Sequence, residues 1–120
     1  MAKGDDIQDR LIKYASRIIN VSNSLPKTNA GRHISGQLLR CGTAPAAHYA
    51  EARGAESASD FIHKLKIAVK EMNESEVWLR IIVDSAMLTQ AQLSNLLDES
   101  NQLQRILSAS IGTVRKSADH

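Results

Sequence analysis

The residues of this chain best equipped for chemistry are Cys41, His48, Glu51, Glu71 and Glu74. A neutral imidazole and carboxylates can ligate a divalent metal, and a thiolate beside an imidazole is a nucleophile with its base. The spacing argues against both. A di-metal helical bundle draws Glu-x-x-His motifs from two separate helices. Here His48-x-x-Glu51 runs in the reverse order and occurs once. Cys41 and His48 stand seven positions apart, about 10 Å along a helix, too far for proton transfer. The sequence has no Cys/His zinc cluster, no P-loop and no G-x-G-x-x-G. The expectation is a non-enzymatic protein with no catalytic residue, metal or cofactor. Arg40, His48 and Glu51 are then structural polar groups, and Cys41 is a small core residue.

Composition narrows the class further. The 120 residues are enough for one domain spanning 1–120 with a real core. Apolar residues make up 42% and aromatics only 3%, so the core must be aliphatic. Few rings also disfavours a binder that stacks single-stranded bases. Net charge is +2, but residues 1–53 hold eight Lys/Arg against four Asp/Glu, and residues 54–120 hold seven against nine. Such asymmetry fits either a basic face or helices that pair electrostatically. A single cysteine forms no intrachain disulfide, and the charged opening MAKGDDIQDR lacks a signal-peptide core. A cytoplasmic protein with no membrane segment is expected.

Four amphipathic segments must position these groups. The first, about 5–24, places Ile7, Leu11, Tyr14 and Ile18 on one face, with Asp5 or Asp6 as its cap. LPKTNAG breaks it. The second, about 30–53, carries Ile34, Leu38, Cys41 and Tyr49, with Pro45 expected to kink it and Gly42 to supply slack. The third, about 59–87, follows a Ser57 or Ser59 cap and runs Phe61, Leu65, Ala68, Met72, Ser75, Leu79, Ile82, Ala86 as a heptad-like seam. The fourth, about 89–116, opens on a Thr89–Gln92 capping box. With no strand signal and short links, these read as an all-α, antiparallel up-down-up-down four-helix bundle.

Two surface features exceed what such a bundle needs. Ile67, Glu71, Glu74, Trp78 and Ile81 form a second strip on the third helix, expected as an oligomer interface that small residues of the second helix (GTAPAA) help to approach. The alternative is that the third helix is the central, most buried one and the strip packs inside the monomer. Arg40 and Arg53 are candidate partners for Glu71, Glu74 or Glu76. Arg10, Lys13 and Arg17 form a basic stripe on the first helix. Together with Lys27, Arg32, Lys66 and Lys70, they are the candidate phosphate contacts for RNA.

The stretch SGQLLRCGTAPAAHYAEARGAESASDFIHKLKIAVKEMNESEVWL, residues 35–79, resembles the bacterial four-helix-bundle family of proteins encoded in intervening sequences of 23S rRNA genes (the S23 family). That family is in turn similar to the accessory variability protein of diversity-generating retroelements. The matching positions are Gln37, Leu38 and Arg40, then Tyr49, Glu51 and Ala52, then Phe61, Lys64 and Leu65, then Lys70, Glu71, Glu74, Trp78 and Leu79. His48 stands where the family usually has Asn. The resemblance implies a cytoplasmic homopentamer with RNA or a nucleoprotein, such as a reverse transcriptase, as partner. A protein-binding scaffold without nucleic-acid contact is the alternative.

Overall fold

The computed structural model describes residues 2–118. Four helices follow in order: α1 (Asp5–Ser24), α2 (Asn29–Arg53), α3 (Ala58–Asp84) and α4 (Gln90–Ala118). The described residues contain no strand. The molecule measures 52 × 25 × 22 Å, a length close to one long helix at 1.5 Å per residue.

Cross-helix contacts fix the topology. Gln8 reaches the Ala46 carbonyl, and Ser22 and Ser35 exchange hydroxyl-to-carbonyl bonds. Higher numbers on α1 therefore meet lower numbers on α2, so the pair is antiparallel. Arg40 meets Glu71 and Glu74 while Glu51 meets Lys64, so α2 and α3 are antiparallel too. Arg10 meets Glu99 and Arg17 meets Asn95, which closes the ring with α1 antiparallel to α4. The α2–α3 seam is the most extensive and the α1–α4 seam the least. This is the expected up-down-up-down bundle.

Local signals explain most helix ends. Thr28 caps α2 by accepting from the Gly31 N–H at 3.0 Å, and Ser57 caps α3 by accepting from the Asp60 N–H at 3.1 Å. The capping box forms: the Gln92 side chain accepts from the Thr89 N–H at 2.8 Å, and the Thr89 hydroxyl accepts from the Gln92 N–H at 3.1 Å.

Two expectations need correction. Asp5 and Asp6 do not cap α1; they lie in its first turn, and Gly4 at φ +93° is the N-cap residue. The seam of α3 stops three residues before Met87. Ala86 adopts φ +62°, the Ala86 N–H donates to the Val83 carbonyl and the Met87 N–H to the Ile82 carbonyl. That is a Schellman termination with Ala where Gly is usual, so the sequence conceals it. α2 runs unbroken through Pro45, and Gly42 serves close packing beside it. A Cβ on Gly42 would lie 2.7 Å from Ile18 side-chain carbons, so the missing side chain lets α1 press against α2.

The core is aliphatic, built from leucines and isoleucines of all four helices plus Met72 and Ala68. One polar layer crosses it. The Tyr14 hydroxyl lies 2.8 Å from Ser75 Oγ, which donates to the Met72 carbonyl. Buried Ser100 accepts from Gln104, whose amide also donates to Glu76 at 3.0 Å. Every member is paired, as burial in a low dielectric demands.

Candidate functional site: the outer faces of the bundle

The strip on α3 turns toward α2. Glu71 and Glu74 sit one turn apart and both accept from Arg40, at 3.1 and 2.6 Å. The Trp78 indole N–H donates to the same Glu74 oxygen at 3.1 Å. His33 of α2 meets the Trp78 ring edge-on at 5.9 Å between centroids. Arg40, Glu71, Glu74 and Trp78 thus form one network across the α2–α3 seam. Ile67 is half-buried beside it, and Ile81 emerges on the surface. Arg53 does not join these carboxylates. It pairs with Asp5 at 2.6 Å and gives a second bond to the Lys3 carbonyl. The guanidinium holds the Asp5 carboxyl below its ordinary range.

The groups first considered for chemistry are kept apart. His48 Nδ1 is 4.0 Å from Glu51, whose carboxylate also faces Lys64 at 3.3 Å. Glu71 and Glu74 are engaged with Arg40 instead. Among the described residues no three metal-binding side chains converge. Cys41 is fully buried, and burial pushes its thiol up to about 12, so no thiolate is available at neutral pH.

The basic candidates divide. Arg10 holds Glu99 in a two-point fork, Nε at 3.0 Å and Nη2 at 2.6 Å, with Gln102 at 3.1 Å from Nη2. Arg17 donates to Asn95 at 2.8 Å, and Arg32 folds back on the Lys27 carbonyl and Asn29. Lys13, Lys27, Lys66 and Lys70 are exposed with no ion pair among the described residues. Lys13 stands on α1 and Lys66 and Lys70 on α3, diagonally opposed helices whose backbones do not adjoin and whose side chains meet in the core at Tyr14 and Ser75. The seven residues therefore make no single patch.

Ile81 apart, the sequence did not single out the apolar residues left in water. Ile12 and Ile19, two turns apart on α1, are 51% and 42% exposed. Leu39 of α2 is equally exposed and lies between the levels of the Ile18–Gly42 and Ser22–Ser35 contacts, hence beside Ile19. On α3, Val77 and Ile81 are exposed and, with Arg80 and Asp84, line a shallow hollow of about 330 Å³. Exposed Leu, Ile and Val singly are ordinary, but two clusters on different sides of one small domain are not.

No helix among the described residues is long and apolar enough to cross a membrane. No curated protein matches the chain. A crystal structure of a protein of unknown function from the S23 ribosomal protein family of Bacteroides thetaiotaomicron superposes with a TM-score of 0.83. It is 34% identical, over 88% of this chain and 97% of that one. Residues 5–109 match the family described as 23S rRNA-intervening sequence protein. With all four helices inside or overlapping that match, the chain belongs to the family of 23S rRNA-intervening sequence proteins.

Proposed function

We propose that this protein is a non-enzymatic interaction module that self-assembles into a closed ring, the pentamer implied by the sequence resemblance, and works as a cytoplasmic scaffold for protein partners. The observation that supports it is the pair of unlike apolar clusters, Ile12, Ile19 and Leu39 on α1–α2, and Val77 and Ile81 on α3. Two different patches on one chain favour head-to-tail contact, and a head-to-tail contact whose rotation closes gives a cyclic ring. Arg40, tied to Glu71 and Glu74 at the edge of the second patch, would fix its shape and register rather than supply affinity. Light scattering on the purified full chain tests this. A mass several times 13.1 kDa supports it, and a monomer overturns it.

Binding of RNA or a nucleoprotein is the second reading. It draws on Lys66 and Lys70, one turn apart, exposed and unpaired among the described residues, which a ring would repeat around its circumference. Arg10 and Arg17 lend it less support because their donors are already committed. Titration of structured RNA at low and high salt separates the readings. Phosphate contacts weaken steeply with salt, whereas a protein scaffold ignores RNA at both.

A further inference from the structure

At one end of the bundle α4 outruns α1. The Arg10–Glu99 and Arg17–Asn95 contacts set Asp5, where α1 begins, opposite residues near position 105 of α4, yet α4 continues to Ala118. The last turns of α4 therefore have no α1 surface to cover. The result is an open cleft of about 730 Å³, within the range of small-molecule sites. Phe61, Ile106, Ala109 and Val114 supply apolar walls.

Its polar end is built by Gly4, Tyr49 and Arg53. Tyr49 is 93% buried, lines the cleft, and its hydroxyl makes no hydrogen bond among the described residues. A Cβ placed on Gly4 would lie 2.9 Å from that hydroxyl oxygen and 3.2 Å from Arg53 Nε. The hydroxyl and the Arg53 Nε thus both pack against the bare Gly4 backbone, which puts them no more than about 6 Å apart at the wall of the cleft. Arg53 bonds Asp5 and the Lys3 carbonyl through Nη2, which leaves its Nε–H uncommitted. Burial raises the Tyr49 pKa, so the hydroxyl keeps its proton at neutral pH and donates. Lys3 adds a second cation at the mouth.

We infer that this cleft is a binding site for a small acidic amphiphile: a carboxylate seated on the Tyr49 hydroxyl and Arg53 Nε, with its apolar body along Phe61, Ile106, Ala109 and Val114. A carboxylate matches the Tyr49 O–H and the Arg53 Nε–H with the Lys3 cation at the mouth, Asp5 being already paired with Arg53 and Asp6 lying near Tyr49, and the apolar walls need a ligand with a hydrocarbon body. Neither the family nor the ring assembly assigns a ligand here, and the cleft lies at the C-terminal end of α2, about 15–20 Å along the helix from Leu39.

The test is calorimetric titration of the full-length chain with dodecanoate below its micelle concentration, with dodecyltrimethylammonium as the charge-reversed control. One saturable site per chain that prefers dodecanoate by at least about tenfold is expected. Tyr49→Phe should weaken dodecanoate by about tenfold or more, the worth of one hydrogen bond to a charged group. Ala109→Trp, a change at an exposed position, should abolish binding while the helical circular dichroism and the light-scattering mass stay those of the wild type. No saturable binding, equal affinity for the cationic chain, or undiminished binding in Ala109→Trp would overturn the inference. A fall in solution mass of Ala109→Trp would also overturn it, because the cleft would then belong to a contact between copies.

Discussion

Arg10 on α1 grips Glu99 on α4 through two parallel bonds, 3.0 Å from Nε and 2.6 Å from Nη2, across the least extensive seam of the bundle. The carboxylate holds the guanidinium protonated even more firmly than usual, first through the hydrogen bond and then through charge. A residue that reads as surface charge in sequence is thus a clasp. Both side chains are partly exposed, so the pair is worth about 0.5–1 kcal/mol. Glu99→Gln should lower the melting temperature by about 2–5 °C. It should leave any RNA affinity unchanged or slightly raised, since it frees Arg10; calorimetry and a salt-dependent RNA titration check the two halves.

Tyr14→Phe probes the polar layer. It removes the bond to Ser75, which keeps its bond to the Met72 carbonyl, so no buried donor is orphaned on that side. A loss of about 1 kcal/mol is expected in urea unfolding with an unchanged slope. A loss below the error of the measurement would mean that the layer contributes nothing to stability.

Ala86→Gly should stabilise. Ala at φ +62° carries about 1 kcal/mol of strain that Gly lacks, partly offset by the freer unfolded chain. A rise of a few tenths to about 1 kcal/mol is expected. Gly42→Ala should do the reverse, by about 1–3 kcal/mol, because the new methyl meets Ile18 at 2.7 Å. Paired thermal melts of the two variants read both signs.

Cys41 gives a pH-linked prediction. Its folded pKa stands near 12 against an ordinary 9.0, because burial penalises the thiolate. The folded state therefore binds the proton more tightly than the unfolded state. Its share of stability is present below pH 9 and is lost as pH rises toward 12. Modification by a disulfide reagent at pH 8 should proceed only at the rate of chain opening, and speed up in urea in step with unfolding.

Much of this was legible in the sequence for physical reasons. Thr89–Gln92 and Ser57 signal helix starts through local side-chain bonds, and the seam Leu65, Ala68, Met72, Ser75, Leu79, Ile82 follows from a strict spacing. Arg40 with Glu71 and Glu74 is among the expected pairings, because helical spacing puts the two carboxylates on one strip. What escaped is whatever depends on a partner distant in sequence. Nothing local says that Arg10 will find Glu99, that Arg53 will find Asp5, or that Gly42 is small for the sake of Ile18. The αL turn at Ala86 is hidden because Ala ordinarily favours the helix it ends. The exposed clusters escaped because Ile12, Ile19 and Leu39 look like ordinary helix residues until the bundle closes without them.

The ring of unlike patches is the central claim, and mixing two variants tests it most directly. Ile19→Glu combined with Leu39→Glu spoils the α1–α2 patch, and Ile81→Glu spoils the α3 patch. In a head-to-tail ring each variant alone should be monomeric by light scattering. An equimolar mixture should recover one good contact and form a 1:1 dimer that stops there. Retention of the full assembly by either variant, or a mixture that stays monomeric, would contradict it.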